Sequence, residues 1–143
     1  MSDKSCLETV VDYIPQYMKD MINEHIGENE DIKAIVKGRS GEAVIVTNQK
    51  VCTINNGEIF QPFEKDEIKG VKLSRKNRVG RFELLVENPE KYIVKLEEGQ
   101  CKYGPDLSKN IVNFPYSKFP MFNVVEKHIN VMIGKAKIKY DFE

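Results

Sequence analysis

At 143 residues, with 41% apolar and 31% charged side chains, the chain can bury a core without disulfide or metal staples, and its composition is globular rather than disordered. Its 22 basic residues balance 22 acidic ones, which excludes a global field drawing it to nucleic acid or an anionic membrane and leaves only local clustering to provide one. No apolar run approaches the roughly 20 residues that span a bilayer as a helix.

The opening stretch, MSDKSCLETVVDYIPQYMK, lacks the basic start and uninterrupted apolar block of a secretory signal. Cys6, Cys52 and Cys101 are an odd number of widely spaced thiols, which argues against a disulfide framework. Together these features predict a cytoplasmic protein with free thiols. Residues 5–26 place Leu7, Val10, Val11, Ile14, Tyr17, Met18, Met21, Ile22 and Ile26 at helical spacing, so an N-terminal helix with one apolar stripe is expected. Pro15 removes a backbone hydrogen bond there and should kink the helix or split it at Ile14. Gly27 stands where a C-terminal cap is expected, and GENED follows as a short acidic linker.

From Ile32 the period changes. IKAIVKG, EAVIVT and KVCTIN are short, rich in Val and Ile, and bounded by the turn sequences RSGE and TNQK. Asn56-Gly57 is the strongest hairpin signal, since both positions tolerate the positive φ of a type I′ turn. EIFQPF continues the meander, with Pro62 marking an edge or a strand end. In EIKGVKLSRK the alternation slips between Ile68 and Val71, and a bulge at Gly70 would restore it. RFELLVE alternates through Phe82, Leu84 and Val86, and KYIVKLEE through Tyr92, Val94 and Leu96 after an Asn88-Pro89 turn. The loop GQCKYGPDLS leads to a last strand, KNIVNF.

At Ser117 the helical period returns. Phe119, Phe122, Val125, Ile129 and Met132 recur every three or four residues, with Ser117 as a cap, Pro120 in the tolerant first turn and Gly134 as the stop. The chain reads as one domain, 1–143: a helix over 5–26, a core over 30–133 and a charged tail over 135–143. Its class is α+β and mainly β.

A run of hairpins closed by one amphipathic helix resembles the bacterial pleckstrin-homology-like (PH-like) domain family. GEAVIVTNQKVCTI is similar to the second and third strands of such domains, DEIKGVKL to the lead into the fourth, and FPYSKFPMFNVVEKHI to the entry of the capping helix. The resemblance covers roughly residues 30–133. It implies a seven-stranded antiparallel β-sandwich or barrel capped by the C-terminal helix, with residues 1–27 as an addition. The absence of Trp favours the bacterial branch over the eukaryotic one. The superfold hosts lipid binders, peptide binders and scaffolds, so fold does not fix function.

Two constellations bear on binding. Between Ile68 and Arg81 the chain carries Lys69, Lys72, Arg75, Lys76, Arg78 and Arg81 and no acidic residue, a cluster able to neutralise phosphates of RNA or an anionic lipid surface. The alternative is a solvated hairpin with Lys72 facing Glu83 across the strand pair. The resemblance adds Lys37, Arg39 and Lys50 at the first hairpin, where phosphoinositide-binding members grip a headgroup. The second constellation is the N-terminal stripe of Val10, Ile14, Tyr17, Met18, Met21 and Ile22, too wide to stay exposed on a monomer. It packs on its own chain or serves as an interface to a protein partner or a second copy.

Catalysis has little support. His25 and His128 lack metal-ligand neighbours at ligand spacing, Cys101 lies beside Lys102 without a positioned base, and Glu97 and Glu98 point to opposite faces of a strand. No cofactor is expected. The first expectation is a non-catalytic protein-binding or assembly module, and the second is weak binding of an anionic surface through the hairpin at residues 69–81.

Overall fold

The computed structural model describes residues 8–95 and 106–135. β1 (Val10–Val11), β2 (Ile32–Lys37), β3 (Ala43–Thr47), β4 (Lys50–Asn55) and β5 (Ile59–Glu64) lie side by side in that order in one sheet. β2 to β5 form an antiparallel meander, and β1 joins the β2 edge in parallel. A second antiparallel sheet holds β6 (Ile68–Lys76), β7 (Val79–Val86) and β10 (Ile111–Pro115), in the order β10-β7-β6. Between β7 and β10, β8 (Ile93–Lys95) and β9 (Asp106–Ser108) pair as a small ribbon. Two helices complete the fold, α1 (Gln16–His25) and α2 (Phe119–Met132). The class is α+β and mainly β, and the sheets remain separate rather than closing into one ladder.

The turns follow their residues. Asn56 and Gly57 take φ of 55° and 74° and join β4 to β5. Asn55 pairs with Ile59, so this connection has three residues. The Thr47 hydroxyl accepts the N–H groups of Gln49 and Lys50 at 3.0 and 3.1 Å, closing the β3–β4 turn. The β6–β7 register shifts between Ile68 and Gly70, the bulge that the broken alternation requires.

The N-terminal helix is shorter than its periodicity. It starts at Gln16, not near residue 5, and Val10–Val11 is a strand. Pro15 is the cause: its ring disfavours helical backbone at Ile14, while its own carbonyl accepts the N–H groups of Met18 and Lys19 at 3.1 and 3.2 Å. Pro15 therefore begins the helix instead of kinking it. At the other end Ile26 turns extended, so Gly27 is not needed as a left-handed cap. Gly134 is: it adopts φ 81° and ends α2, with Lys135 N–H returning to the Asn130 carbonyl at 2.7 Å. Ser117 supplies no cap, because residues 116–118 form a short 3-10 turn before Phe119. Residues 5–7, Cys6, Leu96 to Glu98, Cys101 and the tail from residue 136 lie outside the described residues.

Two cores sit on the two faces of the first sheet. On the inner face Val36, Val44, Val46 and Phe63 meet Phe82, Leu84 and Phe114 of the second sheet, with Phe122, Val125 and Ile129 of α2 closing the gap. On the outer face Ile14, Met18 and Ile22 pack on Ile35, Ile45, Cys52 and Ile54. This double burial explains why β3 is buried along its whole length and apolar from Ala43 to Val46 instead of alternating. In the inner core the Phe114 and Phe122 rings stack at 3.8 Å. A Cβ at Gly80 would stand 2.2 Å from the Phe114 ring, so the backbone there must be glycine.

The sheets are joined along β10 by side chains and loop backbone. Thr53 Oγ1 donates to the Lys109 carbonyl at 2.6 Å and Asn55 Nδ2 to that of Ile111 at 2.8 Å. The loop 38–42 approaches from the same side: Arg39 N–H donates to the Asn113 carbonyl at 2.8 Å, and Glu42 Oε1 accepts the Asn113 N–H at 2.6 Å.

Candidate functional site: the basic hairpin

Strand alternation sorts the charges of β6 and β7. Val71 and Leu73 turn to the core with Phe82 and Leu84, so Lys72, Ser74 and Lys76 share the opposite face with Val79, Arg81 and Glu83. Lys72 stands opposite Glu83, Ser74 opposite Arg81, and Lys76 opposite Val79. Asn77, at φ 58°, and Arg78 make the turn. On the other side of β7, Asn113 of β10 lies next to Arg81. An open groove of about 490 Å³ results, lined by Ser74, Arg75, Lys76, Asn77, Val79, Arg81 and Asn113.

Two of the cations have neighbours. The Arg75 guanidinium lies 4.7 Å over the ring of Tyr116, which is 47% exposed. Arg81 comes within 3.8 Å of Glu83, an exposed pair worth a few tenths of a kcal/mol, roughly. Glu83 thus sits between Lys72 and Arg81 rather than serving Lys72 alone. Lys72, Arg75, Lys76, Arg78 and Arg81 are all exposed.

The first-hairpin residues lie on the far side of β10. Arg39 meets Asn113 through its backbone, so Asn113 is the common neighbour of the loop 38–42 and of the basic hairpin. Lys37 ends β2, where its N–H donates to Asp12 Oδ2 at 3.0 Å. Lys50 is engaged elsewhere, 3.3 Å from Glu30. Behind Asn113, burial pushes the Glu42 carboxyl up to about 7 against the opposing pull of the Asn113 N–H, Arg39 and Lys37.

The N-terminal stripe is used by its own chain. Ile14, Met18 and Ile22 are buried under the first sheet and are not open to a partner; Val10 and Met21 are half-buried. Of the six stripe residues Tyr17 stays largely open, at 45% exposure. Val11 and Tyr13, at 62% and 80%, are the exposed apolar side chains of this end. Val11 fits the helical spacing of 5–26 and Tyr13 does not, but Val10–Val11 is a strand, which turns Val11 outward.

Among the described residues, Cys52, His25 and His128 are each engaged by their surroundings. Cys52 is buried in the outer core, which pushes its thiol up to about 12. His25 stacks on Phe60 at 4.1 Å and bonds the Met21 carbonyl through Nδ1 at 2.8 Å. His128 Nε2 meets the Glu8 carbonyl at 2.8 Å. Among the described residues no group of three His, Cys, Asp or Glu side chains is gathered to hold a metal, and no helix is long and apolar enough to cross a membrane.

No protein-family model, curated protein or solved structure matches the chain. The geometry of the molecule itself therefore carries the functional reading. Of the cations expected at an anion site, Arg75, Lys76 and Arg81 line the groove and Lys72, Arg78, Lys37 and Arg39 do not; its uncharged members were not among the expected residues. Ser74 and Asn77 follow from the hairpin once its register is known. Asn113 needed the pairing of β10 with β7, about thirty residues away, for which no local signal exists.

Proposed function

We propose that the chain is a non-catalytic binding module of PH-like architecture that docks an anionic surface through the β6–β7 hairpin. The layout supports the architecture: a four-stranded meander, a three-stranded antiparallel sheet and a last helix between them, with α1 and β1 added at the N-terminus and the β8–β9 ribbon inserted between β7 and β10. The observation that carries the binding reading is the groove. Arg75, Lys76 and Arg81 surround a neutral lining of Ser74, Asn77 and Asn113, in a chain whose formal charge is zero overall. Lys76 and Arg81 share one exposed face with Lys72, and Arg75 leaves the hairpin on its other face beside Tyr116; cations gathered at one hairpin of a neutral molecule give a local field that orients it on phosphates. The buried free thiol of Cys52 fits the reducing cytoplasm.

The test is sedimentation with vesicles containing phosphatidylserine, and in parallel titration with poly(U) RNA, both at low salt. Changing Arg75, Lys76 and Arg78 together to Ser removes three charges at about 1 kcal/mol each, so binding should fall roughly a hundredfold. Failure of the unmodified protein to bind either probe overturns the reading.

A second reading, protein binding at the N-terminal face, is favoured by the exposure of Val11, Tyr13 and Tyr17.

A further inference from the structure

The N-terminal segment crosses the molecule as an extended strap. Glu8 reaches α2 through the His128 bond, and Val10 and Val11 pair with Ala34 and Ile35 of β2. Asp12 N–H donates to the Ile35 carbonyl at 2.8 Å. The Asp12 carboxylate accepts from the Lys37 N–H at 3.0 Å and from the Lys118 ammonium, which also reaches the Lys37 carbonyl at 3.1 Å. The strap thus lies along the open edge of β2, with α2 and the turn before it on its flank.

What holds it is sparse and specific. The ladder is two residues long. Val10 is half-buried against the inner core, Asp12 meets a cation and a backbone donor, and the alternate side chains of Val11 and Tyr13 face away. β3, by contrast, is buried at every position. The edge therefore reads only two side chains, an apolar one and a carboxylate two residues on, and takes the rest through backbone hydrogen bonds. That is the manner of recognition by strand addition.

We propose that the β2 edge is an acceptor site for an extended peptide segment of a protein partner, of the form apolar–x–carboxylate and running parallel to β2, and that residues 8–13 of the chain occupy it until displaced. Lys118 reads the carboxylate, and the gap between β2 and α2 takes the apolar side chain. The tethered strap competes with a ligand in trans at an effective concentration that a short linker makes high, so release of the strap sets the apparent affinity. The site is distinct from the basic groove and stands or falls without it.

A labelled peptide of sequence ETVVDYI, followed by fluorescence anisotropy against the full chain, tests the proposal. Asp12→Asn in the protein loosens the strap, and the peptide should then bind about tenfold more tightly than to the unmodified chain. The same Asp-to-Asn change in the peptide should weaken binding by a similar factor. One substitution thus acts in opposite directions according to which strand carries it, an outcome that a general loss of stability in the variant does not produce. Circular dichroism verifies that the variant is folded; should it not be, Val10→Ala loosens the strap without touching charge and takes its place. No binding by a folded loosened variant, or binding indifferent to the peptide's Asp, overturns the proposal. A dimer formed at high protein concentration in place of peptide binding would give the edge to a second copy and overturn the partner assignment.

Discussion

Glu42→Gln isolates the contribution of one buried carboxyl to stability. Glu42 sits in the loop 38–42, accepts the Asn113 N–H at 2.6 Å, and feels Arg39 and Lys37 nearby. Burial outweighs these and raises its pKa from the ordinary 4.5 to about 7, so the folded chain holds this proton more tightly than the unfolded one. Below the unfolded value both states are protonated and no penalty arises. As pH rises from 4.5 towards 7 the unfolded chain ionises first and stability falls; above 7 the cost is complete. At about 1.4 kcal/mol per pH unit the gap corresponds to about 3 kcal/mol. Gln keeps the acceptor for Asn113 and cannot ionise. Urea unfolding followed by circular dichroism at pH 5, 6, 7 and 8 should show little gain for the variant at pH 5 and a gain growing to about 3 kcal/mol at pH 8. Two parallel stability curves, or a less stable variant at pH 8, would refute the reasoning. Asp12 does not blur the window: burial raises its pKa, but Lys118 and the Lys37 and Tyr13 N–H groups outweigh that and hold it below 3.8. Its effect falls at lower pH.

Gly80→Ala drives a methyl group into the Phe114 ring and should cost about 1–3 kcal/mol, read as a lower urea midpoint. Met18→Ala empties the centre of the outer core and should destabilise by about 2–5 kcal/mol without changing particle mass in light scattering; a smaller particle would mean that α1 packs on a partner after all. Cys52 should resist a thiol reagent in the native protein and react on unfolding, since burial keeps its thiol protonated up to about 12; fast native labelling at that residue contradicts the packing.

The strands were legible because their signals are local. Val and Ile runs between Gly, Asn and Ser turns make β2 to β7 hard to read otherwise, and the slip at Gly70 announced its bulge. The N-terminus was not, for a physical reason. Val10, Val11 and Ile14 fit a helical stripe and an extended strap equally well, and only the free β2 edge decides between them. Tyr92 was expected in a strand and is buried in a 3-10 turn that starts at Pro89. The two sheets are joined by polar side chains, Thr53 and Asn55, which no hydrophobic pattern marks. For the same reason the cations of the groove could be named from the sequence while Asn113 could not.

The distribution of cover bears on the proposed docking surface. The first sheet has a core on each face, α1 on one side and the second sheet on the other, so its faces are closed to a ligand. The inner face of the second sheet carries Phe82, Leu84 and Phe114 and is closed by the first sheet and α2. What is left among the described residues is its outer face, where Lys72, Lys76 and Arg81 stand exposed beside Asn113. A sheet face bearing three cations around a single carboxylate, Glu83, gains nothing from packing on the rest of the chain, because desolvating a charge costs several kcal/mol, roughly. The arrangement that keeps the hairpin soluble is therefore the one that leaves it available, which the proposed docking on an anionic surface requires.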